Sequence, residues 1–173
     1  SFSFYKISLG EIMKAINLEK LESNLSLGTY TGLAQLDCLL IGPKVESVEQ
    51  VDLLKKAGIT NVIDMKTEGE FSFKDKEEFE KAGISYFHFP VSSPFDVDIS
   101  RLQELESKIR CSEIGKTYLY CMSGNRVSVI LGRLFFEVCG HPKDRVLDTI
   151  AKLGMTRADL LEKMKVDFAK DQI

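Results

Sequence analysis

The chain has 173 residues, 44% apolar and 28% charged, which suits one domain with a sizeable core and excludes a disordered or fibrous class. A net charge of −3 argues against nucleic acid or an anionic membrane surface as a general partner. No apolar run is long enough to span a bilayer, and the four cysteines (Cys38, Cys111, Cys121, Cys139) form no Cys-x-x-Cys pair and no metal pattern with the two histidines.

Free thiols in a reducing, cytoplasmic compartment are therefore expected, with no metal and no cofactor. Export followed by loss of a leader stays open, because the chain starts at Ser1.

In chain order, Gly10 to Leu21 has apolar residues at roughly helical spacing and predicts a short helix. Leu25 to Leu33, rich in Ser, Gly and Thr, predicts a connector or a ragged strand. Residues 1–35 are expected to pack as a helix and connector on a domain spanning 36–173. Leu36 to Ile41 predicts a strand closed by Gly42-Pro43. Ser47 can cap a helix running to Ala57 and stopped by Gly58. Ile59 to Met65 predicts a strand, Lys66 to Lys74 a polar loop, and Asp75 to Ala82 a helix stopped by Gly83.

Ile84 to Phe89 predicts a third inner strand and Pro90 to Asp98 a loop. Ile99 to Arg110 is amphipathic, with Leu102, Leu105 and Ile109 on one face. Thr117 to Tyr120 predicts a buried strand. Arg126 to Val138 reads as one largely buried helix, broken by Gly140-His-Pro. Amphipathic helices over Lys143–Leu153 and Thr156–Phe168 complete the chain. Strands alternating with helices predict an α/β class: a three-layer sandwich with a short, mostly parallel sheet flanked by helices, followed by a helical tail. Ligands gather at the carboxyl ends of such strands, where Lys66, the Pro90–Asp98 loop and Cys121 all fall.

The chemistry concentrates in Tyr120-Cys-Met-Ser-Gly-Asn-Arg126. A strand, a tight loop and a helix start make an anion cradle of backbone N–H groups in a positive dipole field. A cysteine at its lip is expected to be a thiolate, and Arg126 offers a planar fork to an oxyanion. Core packing explains an isolated cysteine at a strand end; the company of Gly124 and Arg126 points to a nucleophile instead.

This segment resembles the phosphate loop of cysteine-dependent phosphatases, with four residues rather than five between Cys121 and Arg126. The shorter spacing is similar to the beta-lactamase-hydrolase-like phosphatase-like family and to the rhodanese sulfurtransferases. Gly58-Ile-Thr-Asn-Val-Ile-Asp-Met65, Ala82-Gly-Ile-Ser-Tyr-Phe-His-Phe-Pro-Val91 and Asp144-Arg-Val-Leu-Asp-Thr-Ile-Ala-Lys-Leu-Gly154 extend the resemblance to the first of these over about residues 36–155. It implies a phosphatase-like fold and a phosphorylated small molecule or phosphoprotein as substrate. In the sulfurtransferase alternative the donor is thiosulfate or a persulfide. Three departures from the phosphatase pattern stand out: the short loop, Val127 where a hydroxyl residue usually follows the arginine, and Lys66 where an arginine is usual. They leave a third alternative, a non-catalytic oxyanion-binding module.

The resemblance implies Cys121 as nucleophile. It implies Arg126, Lys66 and the loop residues Met122, Ser123, Gly124 and Asn125 as oxyanion binders, and Asp96 or Asp98 as general acid. Asp98 is equally suited to cap the helix at Ile99. Glu70 is a solvated charge or a partner for Lys66, His88 a satisfied inner histidine, and His141 an exposed turn residue. Cys38, Cys111 and Cys139 read as packing residues.

Overall fold

Residues 13–112 and 115–170 are described by the structure, a computed structural model. Its sheet runs β1 (Leu21–Leu27), β2 (Tyr30–Leu36), β3 (Leu39–Gly42), β7 (Gly115–Tyr120), β4 (Ile59–Asp64), β5 (Ser85–His88) in spatial order. The two-residue β6 (Cys111–Ser112) pairs antiparallel with the start of β7. β3, β7, β4 and β5 are mutually parallel, while β1 and β2 add an antiparallel hairpin at the β3 side. The four parallel strands end level: Gly42 is paired with Tyr120, Tyr120 with Asp64, and Asp64 with His88. Every connection leaving those ends therefore emerges on one edge of the sheet.

Parity along β7 divides the core. Tyr118 and Tyr120 face one side with α1 (Val48–Lys56) and α2 (Asp75–Lys81), in a cluster with Val51, Leu54, Val62 and Phe79. Leu119 and Cys121 face the other side, packed with α3 (Ile99–Lys108), α4 (Asn125–Arg133), α5 (Lys143–Lys152) and α6 (Ala158–Lys170). Period-two alternation thus hands Cys121 to the layer containing α4. Burial of these apolar faces on both sides of the sheet is the main stabilising term. The result is the expected three-layer α/β sandwich. Among the described residues, no helix is long and apolar enough to cross a membrane.

The helix expected from Gly10 falls partly outside the described residues. Met13 and Lys14 are helical, and Leu21 opens β1 instead of closing that helix. The Ser- and Gly-rich connector is the β1–β2 hairpin, part of the same sheet, so position 35 lies inside β2. The apolar run through Leu36–Ile41 hides a turn. Asp37 adopts φ of 54°, a left-handed conformation that Asp tolerates, so one expected strand is divided between β2 and β3. α1 starts as expected, with Ser47 Oγ accepting from the Gln50 N–H. The expected single helix over Arg126–Val138 is α4 followed by a π turn, Leu134–Val138.

Two cysteines are not free packing residues. Cys38, in the β2–β3 turn, and Cys111, in β6, form a disulfide with Cα atoms 5.6 Å apart, closing a separation of 73 positions. Periodicity could not show this pairing, because the register of β7 between β3 and β6 is what brings the two residues together. Cys139 is free and buried, with its thiol against the Glu106 carboxylate at 3.7 Å, and burial pushes it up to about 12.

Candidate active site

The level strand ends are laced by hydrogen bonds across the sheet edge. The Met65 N–H donates to the Tyr120 carbonyl at 2.8 Å, Val91 N–H to Met65 O at 3.0 Å, and Lys44 N–H to Met122 O at 3.2 Å. The Cys121 loop is therefore held on both flanks by the segments leaving β3 and β4. Gly124 takes φ of 92° to turn the chain into α4, a conformation costly for other L-residues. Its N–H donates to Cys121 Sγ at 3.2 Å. Among the described residues, no protein acceptor bonds the N–H groups of Ser123, Asn125 and Arg126. Those donors lie at the start of α4, where backbone N–H groups have no intrahelical partner.

Asn125 is buried and ties the loop to the distal helices. Its Nδ2 donates to Ser123 Oγ at 3.0 Å and Thr156 Oγ1 at 2.9 Å, and its Oδ1 accepts from the Thr156 N–H at 3.0 Å. Ser128 Oγ donates back to the Gly124 carbonyl at 3.1 Å, while Val127 is fully buried. Met122 is half-buried and Ser123 exposed at the mouth.

Arg126 is gripped by Glu70. Nη1 and Nη2 donate to the two carboxylate oxygens at 2.8 and 2.7 Å, and Nη1 donates again to the Val91 carbonyl at 2.8 Å. This bidentate pair holds the Glu70 carboxyl down at about 2. The same hydrogen bonding raises Arg126, and the Cys121 sulfur adds to the effect. Glu70 holds the Nη1/Nη2 end, and the Cys121 sulfur also lies within hydrogen-bonding reach of the guanidinium. A planar fork held by Glu70 beside Cys121 is suited to a tetrahedral oxyanion.

Glu70 is the site residue that sequence reading misassigned. It orients Arg126, not Lys66. The signal was available in principle: an arginine at a helix start needs an anion, and the Lys66–Lys74 loop carries two glutamates at the same sheet edge.

Lys66 is not placed to meet a ligand. Its side chain is 1% exposed, and Nζ donates to both oxygens of Asp75 at 3.1 Å, with Asp64 at 3.9 Å. It belongs to a buried cluster on the tyrosine face of the sheet. There Tyr120 donates to Asp75 and Tyr86 to Asp64, each at 2.7 Å. Burial raises Asp64 above the usual carboxylate range, against the opposing pull of Tyr86 and Lys66. His88 is satisfied, its Nε2 2.6 Å from the Lys66 carbonyl. His141 is half-buried rather than exposed, against the Met13 carbonyl at 3.1 Å.

The two aspartates differ. Asp98 caps α3, accepting from the Arg101 N–H at 2.9 Å and Ser100 Oγ at 2.8 Å. Those bonds, the Arg101 N–H first, lower its carboxyl, the wrong direction for an acid. Asp96 is exposed, with no hydrogen-bond partner for its carboxylate among the described residues, in a loop held at its backbone. Arg126 holds Val91 O, and Arg133 Nη1 donates to the carbonyls of Pro94 and Val97.

No protein-family model and no curated protein matches the sequence. Solved structures do. A candidate phosphatase from Neisseria meningitidis superposes with a TM-score of 0.60 at 21% identity, covering 83% of this chain and 96% of that one. Kinase associated phosphatase, with serine in place of its catalytic cysteine, gives 0.60 at 17% identity over 86% and 89%. Pseudomonas aeruginosa TpbA, as a cysteine-to-serine variant in complex with phosphotyrosine, gives 0.58 at 15% identity over 84% and 93%. What this chain shares with these structures is the fold: a central sheet flanked by helices, of the cysteine-dependent phosphatase type.

Proposed function

We propose that the chain is a cysteine-dependent hydrolase of phosphomonoesters, of the beta-lactamase-hydrolase-like branch. The observation that carries the reading is the Glu70-held Arg126 beside Cys121, whose sulfur also accepts from the Gly124 N–H of the same loop. The Cys121 thiolate attacks phosphorus, an S–P bond forms, and the P–O bond to the leaving group breaks. Asp96 delivers its proton to the departing oxygen. Water then attacks the phosphocysteine, Asp96 takes its proton, and inorganic phosphate leaves with the thiolate restored. Arg126 and the N–H groups of Ser123, Gly124 and Asn125 stabilise the charge on the transferring group. Lys66 lies outside this first layer.

The Cys38–Cys111 bond favours an oxidising compartment, such as one reached by export, over the cytoplasm. Phosphotyrosine bound to TpbA makes an aryl phosphate the natural first probe. Wild type is expected to hydrolyse it and Cys121→Ser to lose at least about a thousandfold in turnover. The short spacing between Cys121 and Arg126 supports a second reading, sulfur transfer through a persulfide. A sulfur adduct on Cys121 after thiosulfate treatment, unaffected by Asp96→Asn, would replace the phosphatase reading. A phosphate-induced rise in melting temperature with neither activity would make the chain a binding module.

A further inference from the structure

Lys66 and Asp75 form an ion pair almost wholly withdrawn from water, with 1% and 0% side-chain exposure. Burying such a pair brings little net stability compared with apolar packing, so its position in the fold is what needs explaining. Two of its connections lead to the proposed site. Asp75 also accepts from Tyr120, the residue directly before Cys121. The Lys66 backbone is held at both ends, its N–H on Asp64 at 2.9 Å and its carbonyl at 2.6 Å from His88 Nε2. From Lys66 the chain enters a capped 3-10 turn, Glu68–Glu70. There Thr67, through its N–H and its hydroxyl, donates to the same Glu70 oxygen that accepts from Arg126. Phe71, exposed on the outer side, covers the Lys66 ammonium at 4.7 Å from its ring centre. The buried pair is thus the root of the short loop that grips the arginine.

We propose that Lys66 and Asp75 are positioning residues: their buried pair anchors the Glu70 loop and thereby holds Arg126 against the Cys121 loop. The consequence for turnover rests on the phosphatase reading; the mechanical link does not. Lys66 occupies the position where the resemblance suggested a direct oxyanion contact, and the structure gives it a different task one layer away.

The link is read on Glu70 itself. Its carboxyl is held near 2 chiefly by Arg126, with Thr67 assisting. A carbon-detected NMR titration of that side chain in the full protein therefore reports the grip without any ligand. Asp75→Asn is the deciding variant because two effects on it have opposite sign. Removing a negative charge alone lowers the Glu70 pKa, whereas loosening the loop raises it. The expected result is a rise toward the ordinary 4.5. A second variant, Lys66→Met with Asp75→Leu, keeps the net charge and replaces the pair with apolar volume, which folds tolerate; the same rise is expected. A Glu70 pKa that stays near 2 or falls in the folded variants overturns the proposal. Aryl phosphate turnover is measured alongside, with kcat expected to fall about tenfold or more and KM to change little. A wild type that hydrolyses nothing overturns the phosphatase reading and leaves the titration result standing.

Discussion

Glu70 and Arg126 are 56 positions apart, and their bidentate pair is the tightest electrostatic feature of the site. The Glu70 carboxyl is depressed in the folded state, so it binds fewer protons there than in the unfolded chain. The stability it contributes is fully present above about 4.5 and is lost as pH falls through about 2. Acid unfolding of Glu70→Gln is expected to show a weaker pH dependence across that window, measured by circular dichroism at fixed temperature. The aspartates separate by pH too. Asp96→Asn is expected to remove the basic limb of the aryl phosphate rate profile. Asp98→Asn is expected to leave that limb intact and to lower the melting temperature slightly, because Asp98 is a helix cap. Asp98 is also depressed, so its contribution is lost as pH falls below the ordinary 3.8. The reverse assignment in the rate profiles would move the acid role to Asp98. The cap was legible from an aspartate directly before an amphipathic helix; the Arg126 partner was not, since both Glu68 and Glu70 satisfy the same local pattern.

At the scale of elements, the close approach of β3 to β7 depends on Gly42. A Cβ there would lie 2.7 Å from the Tyr118 hydroxyl and 2.5 Å from a Leu33 methyl. That hydroxyl is committed to Tyr30 at 2.6 Å and to the Pro43 carbonyl at 2.7 Å, so it cannot give way without breaking the network. Gly42→Ala is expected to destabilise by about 1–3 kcal/mol in chemical denaturation. Gly124→Ala meets no such crowding, with Gly42 at 3.7 Å, and strains only the backbone at φ of 92°. Its expected cost is about 1–2 kcal/mol, with a loss of turnover because the Cys121 loop changes shape. The element map was largely readable because helix periodicity, Ser47 and the stops at Gly58 and Gly83 agree with one another. It was misread at Leu36–Ile41, where an apolar run passes through a turn, and at Leu25–Leu33, where an exposed edge strand has polar residues on its open face.

Across the whole molecule, the disulfide joins the β2–β3 turn to the β6–β7 hairpin, away from the carboxyl ends that carry Cys121. Closing a separation of 73 positions constrains the unfolded chain by about 4 kcal/mol in the chain-entropy picture. Reduction, or Cys111→Ser, is therefore expected to lower the melting temperature by several degrees while aryl phosphate turnover by Cys121 remains. An unreduced protein with the mass of four free thiols would show that the bond does not form. The sequence by itself determined the α/β class and the strand that ends at Cys121 before a helix, because hydrophobic period and capping are local properties of the chain. Tertiary structure alone decided that Cys38 meets Cys111, that Glu70 and not a ligand holds one edge of Arg126, and that Lys66 lies buried on Asp75. Each of these depends on how strands, loops and helices pack against one another in three dimensions, which periodicity along the chain does not carry.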